Sequence, residues 1–178
     1  DVGATFRFQY NEWRMSLGAF NGNGNPLGDD NPGILLVGRA EYNNSETPLE
    51  TTYGVVEEPI LQAGVGAFYN RDTATSEVGA GGDLLFRWDG LAVLLDAQWI
   101  RIDPTSTTID TPGVLDRTHR LGAVLQVGYS IRGRLEPAAR LEYFDDNLSL
   151  RDNGDLILGM LGVTSHLRND TLRLGAGY

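Results

Sequence analysis

Apolar and polar residues alternate at every second position through most of this chain, and this pattern limits what it can fold into. Successive side chains of a β-strand point to opposite faces, so the pattern predicts strands that are apolar on one face only. Residues 61–69 are a clear case, because their odd-numbered positions are Leu, Ala, Val, Ala and Tyr. No segment shows a sustained period of 3.6 residues, so we expect essentially no helix.

Ten segments share this alternation, and we expect each of them to form one antiparallel strand of a single all-β domain that covers residues 1–178. Most of them are long enough to cross a membrane at a tilt, which takes about 9–11 residues. The segments are 2–10, 13–19, 34–43, 60–69, 81–88, 91–101, 119–131, 134–143, 155–168 and 171–178.

The connections between these segments alternate in length. Short turns are predicted at Asn11–Glu12, Asp89–Gly90, Arg132–Gly133 and Asn169–Asp170. Longer polar loops rich in Gly, Asn, Asp, Pro and Thr lie between them, at 21–33, 70–80, 102–118 and 144–154. Short turns at one end and long loops at the other are typical of outer-membrane β-barrels. One connection departs from this order, since residues 44–59 form an extended loop on the short-turn side.

A soluble barrel or sandwich also alternates, with its apolar face inside, so the direction of the apolar face needs separate evidence. Here the polar face is rich in Gly, Ser, Thr and Gln, as in a crowded or water-filled lumen. Tyrosine and tryptophan gather near the ends of the apolar face, as they do at membrane–water interfaces. We therefore expect a transmembrane β-barrel whose interfacial residues are Tyr10, Trp13, Tyr42, Tyr69, Trp88, Trp99, Tyr129, Tyr143 and Tyr178.

Composition removes several other classes of protein. The chain has no cysteine, which excludes disulfides and thiolate metal sites. Its net charge of −10 argues against nucleic acid as a partner. No apolar run approaches the roughly 20 residues of a membrane helix. The first residues have neither the basic nor the apolar region of a signal peptide, so we interpret the chain as mature, trimmed or a piece of a longer protein.

If the apolar face meets lipid, the opposite face lines a lumen whose charges set ion selectivity. Seven arginines against five acids predict a mild preference for anions there, although acids in the loops, including Glu57 and Glu58, would repel anions at the mouths. The alternative is that the arginines pair with acids across strands and brace the wall. The predicted pore-lining residues are Arg7, Arg14, Arg39, Arg87, Arg120, Arg140, Arg173, Glu41, Asp83, Asp96, Glu136 and Glu142.

An enzyme would need a cluster of catalytic groups, and we predict none. His119 and His166 each lie near a strand end, and Ser130 is too far from His119 along the same segment to meet it. Asp145–Asp146 and Asp29–Asp30 offer hard oxygen ligands for calcium, but paired acids in loops are more often simply solvated. No metal and no cofactor are therefore predicted.

Several short motifs resemble the phosphate-selective porin O and P family. The run from Arg134 to Asp145, RLEPAARLEYFD, is similar to that family's "LEPxxRYEYFD" strand. Three further pieces follow the family's order: DVGA at 1–4 with LGAFNG at 17–22, GRAEYN at 38–43, and NDTLRL at 169–174. Together they span nearly the whole chain.

The resemblance implies a sixteen-stranded, trimeric outer-membrane channel that passes anions through a lumen lined by arginine and lysine. This chain departs from the family in holding about ten strands that correspond to its C-terminal portion, in stopping before the family's last strand, and in having no lysine. No phosphate-binding residue of the family is therefore carried over to a position here.

The expected function is a porin-type channel of the bacterial outer membrane for diffusion of small hydrophilic or anionic solutes. Its expected partners are outer-membrane lipids, with a homotrimer or an envelope complex as the assembly. The alternatives are a plugged structural barrel, an outer-membrane enzyme and a soluble sandwich.

Overall fold

The computed structural model describes residues 2–21, 33–45, 55–71, 75–104, 117–150, 154–167 and 172–177. These residues form strands and connections and contain no helix. Accordingly, no helix in this part of the chain is long and apolar enough to cross a membrane. The strands are β1 (Val2–Tyr10), β2 (Trp13–Asn21), β3 (Ile34–Asn43), β4 (Ile60–Arg71), β5 (Thr75–Trp88), β6 (Leu91–Pro104), β7 (Thr118–Tyr129), β8 (Leu135–Asp145), β9 (Leu156–Leu167) and β10 (Leu172–Gly177).

All the strands belong to one sheet in which each pairs antiparallel with its neighbours in chain order. The predicted all-β antiparallel architecture is confirmed. Within the described residues the sheet is open, because β1 and β10 stand at its two ends and do not pair with each other.

One predicted loop is wrong. Residues 70–80 were expected to connect two strands, but β4 continues to Arg71 and β5 begins at Thr75. The cause is a run of glycines at positions 79, 81 and 82, which carry no side chain and so hide the alternation. Glycine at position 79 leaves room for the ring of Phe68 on β4, which a Cβ there would displace.

The short turns have the backbone that tight hairpins need. Asp89 and Gly90 both have positive φ, at 45° and 82°, as in the turn type that matches the twist of the flanking strands. Arg132 and Gly133 do the same at 54° and 66°, and Asn11 has a φ of 50°. These three predicted turns are confirmed, and the fourth, at 169–170, lies outside the described residues.

The long β3–β4 connection is fixed to the short-turn side of the sheet at its two described ends. The side-chain oxygen of Asn44 accepts a hydrogen bond from the backbone N–H of Leu61 (2.7 Å), and its amide nitrogen donates to the carbonyl of Pro59 (3.1 Å). The carbonyl of Val56 accepts a hydrogen bond from the backbone N–H of Asp89 in the β5–β6 turn (3.0 Å). The described part of this connection therefore packs against the neighbouring hairpin.

Burial is inverted relative to a soluble domain. On the apolar face, Phe6, Leu17 and Val65 are 65%, 62% and 64% exposed, whereas on the polar face Glu136 and Arg87 are 2% and 7% exposed. The buried hydrophobic side chains of the described residues, Leu85 and Ala92, lie on the polar face as well. The apolar face is therefore a continuous surface that the described part of the chain leaves uncovered.

Candidate pore-lining face

Cross-strand partners share a face of a sheet, so the strand register shows which predicted residues lie together. Arg7 pairs with Ser16 and Ser16 with Arg39, and the same reasoning extends to β10, where Arg173 pairs with His166. For Arg173 the structure describes the backbone but not the side chain. All the predicted residues occupy one face: Arg7, Arg14, Arg39, Glu41, Asp83, Arg87, Asp96, Arg120, Glu136, Arg140, Glu142 and Arg173.

One register row concentrates carboxylates in the middle of this face. The row starts at Gln9 on β1, and its successive partners are Arg14, Glu41, Gly64, Asp83, Asp96, Val124 and Glu142. Asp83 and Asp96 stand directly opposite each other, which is unfavourable for like charges. The row therefore requires cations from neighbouring rows.

Arg39 supplies such a cation. Its Nε lies 2.6 Å from Glu41 Oε1 and its Nη2 lies 2.7 Å from Asp83 Oδ1. The side chain thus reaches from β3 across β4 to β5. It crosses at Gly64, where a Cβ would collide with the guanidinium. Arg14 adds a weaker contact, with Nη1 3.8 Å from Glu41 Oε2.

A second cluster lies on β7 and β8. Arg140 pairs through its Nε with Glu142 on the same strand, and its Nη1 donates to Gln126 Oε1 across the strand pair at 3.1 Å. Pairing with an acid across strands is thus observed for Arg39, whereas Arg140 pairs with an acid of its own strand and crosses only to Gln126. The side chains of these ion pairs are between 29% and 39% exposed, and exposed pairs contribute at most about 1 kcal/mol each to stability.

The polar face is most shielded near the short turns. Gln62, Arg87, Ser130 and Glu136 are all buried there. Glu136 interacts electrostatically with Arg87, so this buried end also holds a carboxylate and a guanidinium in proximity. Arg7 and Arg120, by contrast, are exposed.

Glu77 also belongs to this face, and sequence reasoning missed it. It pairs with Asn70 and Ile102 and lies two positions before Gly79 on β5. The alternation of Glu77, Gly79, Gly81 and Asp83 was the available signal, and the glycines concealed it. With Glu77 added, the excess of arginine over acid on this face is smaller than predicted from the sequence.

The opposite face carries the predicted aromatic residues at the strand ends. Near the short turns, Tyr10, Trp13 and Tyr42 are successive register partners, and the rings of Trp13 and Tyr42 lie 5.3 Å apart. Trp88 and Tyr129 both pair with Leu91. At the other end are Tyr69, Trp99 and Tyr143, each eight positions along its strand from Leu61, Leu91 and Leu135 respectively. Tyr178 lies outside the described residues.

Several of the groups considered for metal binding or catalysis have contacts that the structure describes. The carboxylates of Asp145, Asp146 and Asp155 come within 4.8 Å of one another. However, Asp145 already accepts hydrogen bonds from the hydroxyl of Tyr143 (2.9 Å) and the backbone N–H of Asn147 (2.9 Å). The ring of His119 lies 5.6 Å from that of Trp99. The side chain of His166 and the pair Asp29–Asp30 lie outside the described residues.

A scan against protein-family models finds no match, and searches of curated proteins and of solved structures find no similar protein either. The resemblance to the phosphate-selective porin O and P family is therefore carried by the quoted motifs alone.

Proposed function

We propose that this chain forms part of the wall of an outer-membrane β-barrel channel through which small hydrophilic solutes diffuse. The observation that carries the proposal is the inverted sheet, with its exposed apolar face and its shielded, ion-paired polar face. In water, an uncovered apolar surface of this extent would drive association. Against lipid tails the same surface is stable, and the polar face then lines an aqueous lumen.

The stagger of the strands supports the proposal. The register row that contains Trp13, the first residue of β2, continues through seven strand pairings to Gly159 of β9. Gly159 lies eight positions before Leu167, where β9 ends and pairs with the first residue of β10. If the short-turn ends of the strands lie at one level, the register is displaced by eight residues over seven strand spacings. A rise of about 3.3 Å per residue and a spacing of about 4.8 Å per strand then give a strand tilt of about 40°. Strands of outer-membrane barrels tilt by about 35–45°.

The spacing of the aromatic residues also suits a bilayer. Eight positions from Leu91 to Trp99 are about 26 Å along the strand, which at this tilt is about 20 Å of membrane thickness. An outer-membrane barrel has an apolar band about 25 Å tall, flanked by aromatic girdles. The two groups of tyrosines and tryptophans are therefore placed to lie near the two interfaces.

Unpaired backbone groups in lipid cost several kcal/mol each, so the proposal requires that the edges of β1 and β10 are paired in the membrane. Further strands of a larger barrel would complete the wall. The sixteen-stranded homotrimer implied by the family resemblance is our proposal for the assembly.

The near balance of charge on the polar face suits a channel with weak ion selectivity. The exposed Arg7 and Arg120 are the cations placed to favour anions, while Arg39 and Arg140 are engaged in ion pairs. We therefore propose small neutral and anionic solutes as the substrates.

Liposome swelling tests this function. Vesicles that contain the purified protein are expected to swell in isotonic solutions of a monosaccharide and to swell less as the solute becomes larger. The burial of Arg87, Ser130 and Glu136 favours a second candidate, a barrel plugged near the short turns. Fully inserted protein that gives no swelling with the smallest sugar would contradict the channel and support the plug.

A further inference from the structure

The outward face of β6 and β7 changes in character along the strands. On β6, the outward positions from the middle of the strand to its end are Leu95, Ala97, Trp99, Arg101 and Asp103. The first four of these residues pair on β7 with Leu125, Ala123, Leu121 and His119, in that order. β6 thus passes from apolar through aromatic to charged residues, and β7 passes from apolar residues through His119 to Arg117 just before its start. This is the order in which a lipid passes from its acyl chains to its headgroup.

The charged end is a cluster of arginines beyond Trp99. The Nε of Arg101 lies 2.7 Å from Asp103 Oδ2 and the Nε of Arg117 lies 2.5 Å from Asp103 Oδ1. Arg71 shares their outward face, because its partner Ser76 also pairs with Asp103. Asp103 pairs with both Arg101 and Arg117, so these three side chains carry a net charge of +1 in a chain whose net charge is −10.

The same guanidinium groups are suited to an anion. Asp103 engages Arg101 and Arg117 through Nε, and the Nη groups of each arginine carry four further N–H donors. Arginine binds phosphate through paired hydrogen bonds, and the side chain of Arg117 is 61% exposed. Asp103 holds the two arginines on either side of it, so a phosphate could contact both.

An apolar groove lies farther along the same strands, toward the middle of the sheet and beyond Trp99. It has a volume of about 480 Å³. Gly82, Ala97 and Ala123 are successive register partners. Because glycine has no side chain and alanine a small one, they create a depression in the apolar surface. Leu95, Leu125 and Leu141, from the adjoining row, line it. Ala97 is four positions from Arg101, about 13 Å along the strand, so one acyl chain can occupy the groove while its headgroup reaches the arginines.

We propose that this surface binds one molecule of lipid A, with a phosphate on Arg101 and Arg117 and an acyl chain in the groove. The inference rests on the proposed membrane location. The cluster lies at the long-loop end of the strands, which faces the cell exterior in outer-membrane barrels. Lipid A forms the outer leaflet there, and its phosphates and several acyl chains match the two parts of the site.

Native mass spectrometry of the full-length protein in detergent tests this site, with diphosphoryl lipid A as the probe. Replacing both arginines, Arg101→Gln with Arg117→Gln, removes charge-assisted hydrogen bonds and is expected to weaken retention on the order of tenfold. Arg132→Gln with Arg134→Gln, in the exposed β7–β8 turn, is the matched control and should retain lipid A as the unchanged protein does. Equal retention by both double variants would overturn the proposal.

A third variant tests the groove, and channel activity separates the two proposals. Ala97→Phe with Ala123→Phe fills the depression and should reduce lipid A retention several-fold without changing competition by inorganic phosphate. Unchanged retention in this variant, with lipid A fully displaced by inorganic phosphate, would mean a phosphate site without a lipid site. If all variants conduct like the unchanged protein but retain lipid A equally, only the lipid inference fails, whereas protein that needs no detergent would overturn the membrane location itself.

Discussion

At the scale of single residues, the polar face depends on one arginine that spans three strands. Arg39 leaves β3, passes over Gly64 of β4 and reaches Asp83 of β5, which stands opposite Asp96. It therefore reduces the repulsion between two facing carboxylates. The alternation in the sequence could place all these side chains on one face. It could not predict which of them pair, because the pairing depends on the register of three strands and on the missing Cβ at Gly64.

A pair of glycine substitutions tests this arrangement. Gly64→Ala should displace the Arg39 guanidinium from Asp83, since the new Cβ would occupy its position. The carboxylates then lose their cation, and we expect a loss of about 1 kcal/mol in unfolding free energy with a shift of the reversal potential toward cations. Gly122→Ala on the same face is the control, because its Cβ would meet only Phe144 Cδ2 at 3.9 Å. Equal unfolding free energies and equal reversal potentials in the two variants would argue against the ion pair between Arg39 and Asp83.

Ion preference should follow the exposed arginines rather than the paired ones. Arg7→Glu combined with Arg120→Glu changes the charge of the polar face by four units without breaking any of the ion pairs described above. We expect the reversal potential in a salt gradient to move clearly toward cation preference. Arg87→Glu is a poorer test, since it would bury a second carboxylate beside Glu136 and destabilise the fold. An unchanged reversal potential in the first variant would show that these two arginines do not line the pore.

At the scale of the strands, much of the structure could be predicted because alternation reports directly on the two faces of a sheet. The bounds of β3, Ile34–Asn43, agree with the prediction, and those of β1 do as well. The start of β5 and the position of Glu77 could not be predicted, because glycine contributes no apolar or polar signal. The end of β6 beyond Arg101 was also missed, since Ile102, Asp103 and Pro104 continue the strand where a polar loop was predicted.

A charge on the outward face distinguishes a lipid-facing strand from a soluble one. Val65 is 64% exposed, and an exposed position in a soluble protein accepts arginine within about 0.5 kcal/mol. If the position faces the bilayer core, Val65→Arg should cost about 2–4 kcal/mol in the free energy of folding into vesicles. Val55→Arg, at a 51% exposed position in the β3–β4 connection, is the control and should be nearly neutral. A neutral result at both positions would contradict the outward apolar face.

Tryptophan fluorescence reports on the two aromatic groups. The chain has three tryptophans, and all of them, Trp13, Trp88 and Trp99, lie on the apolar face near strand ends. In vesicles of brominated lipids we expect the strongest quenching when the bromines are near the headgroups and the weakest when they are at the ends of the acyl chains. Strongest quenching from the chain ends would place the tryptophans at the middle of the bilayer and contradict the predicted belts.

At the scale of the whole molecule, the order of the sheet follows from its connections. Short turns alternating with longer loops predict a meander in which each strand pairs with the next, and the sheet has that order. Closure could not be predicted in the same way. It depends on which strands meet the edges of β1 and β10, and the local pattern of neither strand contains that information.

Planar-bilayer recording of the complete, detergent-purified protein tests the central claim most directly. A barrel with a water-filled lumen should produce discrete upward steps of conductance as single channels insert, with a reversal potential close to zero in a salt gradient because the charges of the polar face nearly balance. Protein that inserts, as judged by protection from protease and by its resistance to extraction, yet gives no steps would contradict an open channel. The sheet would then be the wall of a closed structural barrel.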